Sequence, residues 1–162
     1  MFAMVNAGKT KLLLKNTNRL GEAEPLMRRV LSMAEKSFGT DHPKVATALN
    51  NLAGVLQNTN RLAEAEPLFR RALNIDEKSF GTEHPNVARD LNNLAVLLKD
   101  TNRHSEAEPL MRRTLEIDEK NFGAAHPMVA TALNNLAQLL KDTNRLAEAE
   151  SLFRRALTID EK

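Results

Sequence analysis

Residues 3–10 read AMVNAGKT, which sets Gly8, Lys9 and Thr10 where a loose phosphate-loop pattern would have them. That chemistry needs backbone N–H groups to cradle phosphates, a lysine to reach them and a hydroxyl to hold magnesium, all at a strand-to-helix turn. Only Met1 and Phe2 precede the match, so no strand can, and no second strand with a magnesium-binding aspartate is visible. The stretch reads better as a decayed helix running into Leu12, Leu13 and Leu14. Histidines are the next candidates. His42, His84 and His126 recur every 42 residues, but neighbouring helices pack about 8–10 Å apart while metal ligands converge to about 2 Å. Equivalent histidines on successive units cannot share one ion, so they are expected to cap or join helices. His104 stands alone. There is no cysteine, hence no thiolate nucleophile or disulfide, and no serine has a recurrent base beside it. Catalysis, a resident metal and a cofactor are therefore not expected.

The charged residues offer binding chemistry. Arg28-Arg29, Arg70-Arg71, Arg112-Arg113 and Arg154-Arg155 form a repeated basic pair, which reads as a nucleic-acid or lipid stripe or as local ion pairing. Glu24, Glu66, Glu108 and Glu150 each stand four residues before the first arginine, the favourable helical orientation at about 0.2–0.5 kcal/mol per pair. With 23 basic against 21 acidic residues and a formal charge of +2, nothing demands a polyanion. The six phenylalanines make no stacking platform of the kind single-strand binders use. The scattered Lys9, Lys11 and Lys15 argue against a secretory leader, and no apolar run approaches the roughly 20 residues of a membrane helix. A cytoplasmic protein is expected.

The elements that carry these residues come in units. LNNLA begins at Leu49, Leu91 and Leu133, TNR at Thr17, Thr59, Thr101 and Thr143, and residues 42–78 match residues 126–162 at 30 of 37 positions. A 42-residue period of this kind marks a repeat array. The units divide the single domain 1–162 into a degenerate first repeat 1–41 and repeats 42–83, 84–125 and 126–162. Each unit predicts two helices. The first starts at His-Pro, since proline at the first helical position sacrifices no hydrogen bond, and buries Val45, Leu49, Leu52, Ala53 and Leu56. Thr59 or Asn60 is expected to cap the second helix, which buries Leu62, Ala65, Leu68, Phe69, Ala72, Leu73 and Ile75 and closes at Phe80-Gly81. Ala53, Ala65 and Ala72 mark close approach between the two helices. Pro25, Pro67 and Pro109 fall inside second helices, where a bend is expected. Neither helix can bury its stripe alone, so the fold class is an all-α solenoid.

The small residue, Leu, small residue and aromatic pattern resembles the tetratricopeptide repeat. The 42-residue form, HPxVAxxLNNLA followed by NRxxEAEPLxRRxLxIDEKxFG, is similar to the repeats of kinesin light chain and its bacterial relatives. It lacks the tyrosines common in the animal proteins, so their cargo preference does not carry over and a bacterial relative is expected. The resemblance implies a right-handed superhelix of about four helix-turn-helix repeats. It also implies a non-catalytic adaptor that binds a protein or peptide in a concave groove lined by first helices. Carried onto this sequence, the groove positions are Thr47, Asn50, Gly54 and Gln57; Arg89, Asn92, Val96 and Lys99; and Thr131, Asn134, Gln138 and Lys141. Gly8, Leu12 and Lys15 stand at equivalent places in the first unit.

Helical geometry agrees in part, since Thr47, Asn50, Gly54 and Gln57 share one face away from the apolar sector. An amide has both donor and acceptor, so Asn50, Asn92 and Asn134 are expected to pair with a ligand backbone, and Asn51, Asn93 and Asn135 to serve structure. Lys15, Lys99, Lys141 and Arg89 point to an acidic ligand, against the neighbouring Asp100 and Asp142. The uncapped apolar ends, with Leu152, Phe153, Ala156 and Leu157 in the last helix, are expected either of a fragment of a longer array or of ends that meet another copy; the second raises an alternative function. Copies would assemble into a homo-oligomeric scaffold, linked to a cytoskeletal filament or a membrane. A weaker third class is a regulatory arm of a larger nucleotide-switch protein.

Overall fold

A computed structural model describes residues 22–161, and these form seven α-helices. They are α1 (22–38), α2 (Pro43–Asn58), α3 (Leu62–Phe80), α4 (Pro85–Asp100), α5 (His104–Phe122), α6 (Pro127–Asp142) and α7 (Leu146–Asp160). The AMVNAGKT stretch and Lys15 lie outside the described residues. No strand occurs among those described. Among the described residues, no helix is long and apolar enough to cross a membrane.

The units are joined by a local device at each start of a first helix. Phe80 stacks on His84 with ring centroids 4.5 Å apart, and Phe38 on His42 and Phe122 on His126 do the same at 4.9 and 4.7 Å. Between the two rings the chain reverses through Gly39, Gly81 or Gly123, each at φ near +84, a conformation that only glycine adopts without strain. The histidine is then the N-cap: Nδ1 of His84 accepts from the N–H of Asn86 at 3.1 Å, and His42 and His126 repeat the bond. Proline follows at the first helical position.

The turn inside each unit departs from expectation. Thr59 and Asn60 do not cap α3, whose N-cap is Arg61 without a side-chain bond. Thr59 instead closes α2, its hydroxyl donating to the carbonyls of Val55 and Leu56. Asn60, Asn102 and Asn144 take positive φ of 61, 58 and 62, the left-handed residue that ends a helix, which asparagine tolerates better than most. The cap-forming residues thus work backwards on the preceding helix. The prolines do not break their helices: α3 and α5 run through Pro67 and Pro109.

Each first helix is enclosed by the second helix of its own unit and the second helix of the unit before, so α4 lies between α3 and α5. The result is full burial of Leu49, Leu91 and Leu133, and of the small residues Ala53, Ala65 and Ala72 between the helices of one unit. First helices also touch each other, α2 with α4 and α4 with α6, while no two of α3, α5 and α7 do. The row of first helices is therefore the tighter, inner row, and the stack curves around it.

Replacing His84 with Ala removes an N-cap and a ring stack together and is expected to cost about 1–2 kcal/mol. His84→Asn restores the cap alone and should recover about half. Urea denaturation of the three proteins measures this; a His84→Ala midpoint equal to wild type would show that the junction does not hold the helices.

Candidate functional site

The inner face of α2, α4 and α6 is the candidate binding surface, and its residues divide into free and engaged. Thr47 and Thr131 are exposed, their hydroxyls turned back onto the carbonyls of Pro43 and Pro127. Gln57 reaches Asp100 on the next first helix at 3.1 Å, and Gln138 reaches Asp142 on its own helix at 2.8 Å. Gly54 is half-buried, with open space where a side chain would begin. Val96 is half-buried against the core. Lys99 is half-buried and Lys141 exposed. Lys141 also lines a hollow of about 400 Å³ at the C-terminal end of the stack, with Leu146, Phe153 and Leu157.

The asparagine row is not uniform. Asn50 is buried, and its amide donates to Asp90 Oδ1 at 2.8 Å. Asn92 is half-buried, and its Oδ1 accepts from Asn135 of the next repeat at 2.8 Å. Asn134 is half-buried and has no side-chain hydrogen bond among the described residues. Of the three, Asn92 and Asn134 keep an amide on the half-open face, whereas Asn50 is drawn into a buried cluster.

That cluster gathers two buried carboxyls and one guanidinium beneath the inner face. Asp76 of α3 and Asp90 of α4 are both buried, at 1% and 0% exposure. Arg89 bridges them, 3.2 Å from Asp76 Oδ2 and 3.0 Å from Asp90 Oδ1. Arg89 is thus a neutralised cation. Burial, then the charge of Asp90, pushes the Asp76 carboxyl up to about 6, against the pull of Arg89. Burial also raises Asp90, opposed by Arg89. Asp76 Oδ1 and Asp90 Oδ2 receive no hydrogen bond. One unit further on, Asp118 is equally buried with no such partners, and burial raises its pKa, offset by His126.

The outer helices carry no free arginine stripe among the described residues. The four expected Glu–Arg pairs four residues apart are all present, Glu66 with Arg70 at 2.8 Å among them. The second arginines reach back one unit: Arg71 to Glu35, Arg113 to Glu77 and Arg155 to Glu119. A further set is not apparent from sequence. Arg61, Arg103 and Arg145, from the TNR motif, each grip a glutamate of their own helix and one of the preceding unit, as Arg103 does with Glu106 at 2.7 Å and Glu66 at 2.8 Å. The buried aspartates also escape a reading of the sequence. Their signal there is a charged residue recurring directly after the apolar Ile75 and Ile117, and the Arg89-Asp90 pair where other units have Thr-Ala.

A family model of the tetratricopeptide repeat matches residues 12–78, 44–120 and 103–162. No curated protein matches the chain. Among solved structures, BtubC (BKLC) from P. vanneervenii is 25% identical with a TM-score of 0.81; the match covers 89% of this chain and 57% of that one. This chain therefore spans little more than half the length of that relative. A putative kinesin light chain of nearly identical TPR-like repeats from Podosopora anserina is 18% identical with a TM-score of 0.58, over 90% of this chain and 89% of its own. The apo form of RapI is 18% identical with a TM-score of 0.77, over 91% of this chain and 52% of its own. The latter two likenesses concern the fold.

The cluster generates a pH signature. Asp76 binds its proton more tightly folded, at about 6, than unfolded, at about 3.9, so its contribution is present below about pH 4 and is lost as pH rises through 6. Asp76→Asn removes that loss. The variant is expected to gain on the order of 2 kcal/mol over wild type near pH 7.5 relative to the same comparison near pH 4. A stability difference that does not change with pH would mean that Asp76 carries no shifted proton.

Proposed function

The chain belongs to the tetratricopeptide repeat family, and from that premise we propose that it is a non-catalytic cytoplasmic adaptor. It holds an extended segment of a partner protein along the inner face of α2, α4 and α6. The fold is that of a protein-interaction module. The observation that supports a groove here is the half-open amide row: Asn92 and Asn134 lie one repeat apart on the inner helices with N–H donors unspent. An asparagine amide gives a donor and an acceptor to a peptide backbone without reading its side chains. Thr47, Thr131, Gln57, Gln138 and Val96 complete the surface, and Asn50 braces it from beneath through Asp90.

We assign the preference for acidic ligand residues to Lys99 and Lys141. Arg89 adds no free charge, being held by Asp76 and Asp90. In the first repeat the equivalent of Lys99 is Lys15.

Self-assembly through the end of the stack has its own observation. Leu146, Phe153 and Leu157 of α7 are exposed apolar side chains, at 59%, 36% and 56%. A second copy that covered Phe153, Leu146 and Leu157 would form a homo-oligomer. A filament-linked or membrane-linked scaffold is a form of this second reading.

The test is capture of partners from a lysate with wild type and with Lys99→Glu/Lys141→Glu, at low and moderate salt. Partners lost with the double variant, and weakened by salt in wild type as screening requires, support the charged groove. If the same partners are retained by both proteins, the charge assignment fails. Light scattering on the same samples decides for or against assembly.

A further inference from the structure

The repeats are near copies, so the places where they differ show what a position can be used for. The aspartate of the second helix recurs as Asp76 and Asp118. Asp76 is answered from within the chain by Arg89 and shares its surroundings with Asp90. Forty-two residues on, the answering positions hold Thr131 and Ala132. Asp118 is nonetheless only 3% exposed, and its Oδ1 is enclosed and receives no hydrogen bond. A buried carboxylate oxygen with no donor is costly and rarely left so. Beside it, where the arginine of the preceding junction would point, is a cavity of about 70 Å³ on the inner face, lined by Arg89, Asn92, Thr114, Asp118, Met128 and Thr131.

The hydrogen-bonding valence of that lining is lopsided. Thr114 spends its hydroxyl proton on the carbonyl of Leu110 at 2.9 Å, and Thr131 spends its own on Pro127 at 3.2 Å. Both oxygens keep acceptor capacity only. Asp118 accepts. Asn92 Oδ1 already takes one bond from Asn135 and has a second lone pair. Arg89 faces the cavity with its charge compensated by two carboxylates. Asn92 Nδ2 and Arg89 are donors on the same wall, yet neither reaches Asp118, whose enclosed Oδ1 stays without a donor; an ammonium or a guanidinium supplies several. The volume is that of about two waters, each claiming about 30 Å³ of liquid, enough for a cationic head but not for a whole side chain. Met128, 43% exposed beside it, offers an apolar wall for an alkyl stem.

We propose that this cavity is the subsite for a lysine or arginine side chain of the bound segment, paired with Asp118, so that the ligand supplies at the third junction what Arg89 supplies to Asp76 at the second. The proposal rests on the reading of the inner face as a peptide groove and adds a basic residue to the ligand. The acidic residues selected by Lys99 and Lys141 would be separate positions on the same segment.

The experiment is NMR titration of the full chain with N-acetyl-arginine amide and N-acetyl-lysine amide, with N-acetyl-citrulline amide as the neutral isostere. Saturable shifts at the amides of Asn92, Asp118 and Thr131 with the cationic probes, and none with citrulline, are expected. Asp118→Asn should weaken the cationic probes about tenfold or more, the scale of losing a charged partner. Thr131→Arg places an arginine where Arg89 stands in the preceding junction; it should abolish probe binding and raise the thermal midpoint. No saturable shift, equal binding of citrulline, or an undiminished response in Asp118→Asn would overturn the proposal and leave water as the partner of Asp118. The probes act without a partner protein, so binding of the probes with no partner captured faults the groove reading alone. Partners captured equally by wild type and Thr131→Arg fault the subsite alone.

Discussion

No unit of this chain can bury its own apolar surface. Each first helix has apolar residues on both flanks and needs two second helices to cover them, one from its own unit and one from the unit before. Leu91 is fully enclosed because α3 and α5 both reach it. From this requirement the stacking of successive units in a line follows. The inner row of first helices follows as well, and with it the half-open face that carries Asn92 and Asn134.

Polar groups then set the fine geometry that burial leaves open. Apolar contact is forgiving of small slides, and ion pairs at the surface add only a few tenths of a kcal/mol each. Their value here is directional. Arg103 grips Glu106 in its own unit and Glu66 in the one before, so a rotation between units would break at least one of these bonds. The same clamp recurs from Arg61 and Arg145. Partial burial pushes the Glu66 carboxyl up, but hydrogen bonds from Arg70 and Arg103 outweigh it and hold the group below the usual carboxylate range.

The architecture was legible because it is written in local signals that recur: His-Pro at helix starts, Phe-Gly at helix ends and periodic leucines between them. Thr59 and Asn60 misled because the same residue types that open a helix can also close the one before. Only backbone conformation separates the two uses, and Asn60 takes positive φ. The clamps of Arg61, Arg103 and Arg145 were invisible because their partners lie 37 residues away and are chosen by how units stack. Arg89 read as a free cation because a sequence shows a charge without its neighbours. Asp76 and Asp90 lie on two different helices, and their approach is a property of the stacked fold.

The junction between α3 and α4 also bears on how such a chain can change over generations. Arg61, Arg103 and Arg145 are interchangeable keys for Glu24, Glu66 and Glu108, so loss or gain of one whole unit would leave every lock matched. Asp76 and Arg89 are an exception, because their match occurs at one junction only. Any recombination that passes between them inherits a buried carboxylate without its guanidinium. The pair therefore ties two neighbouring units into a single heritable block within an otherwise modular array.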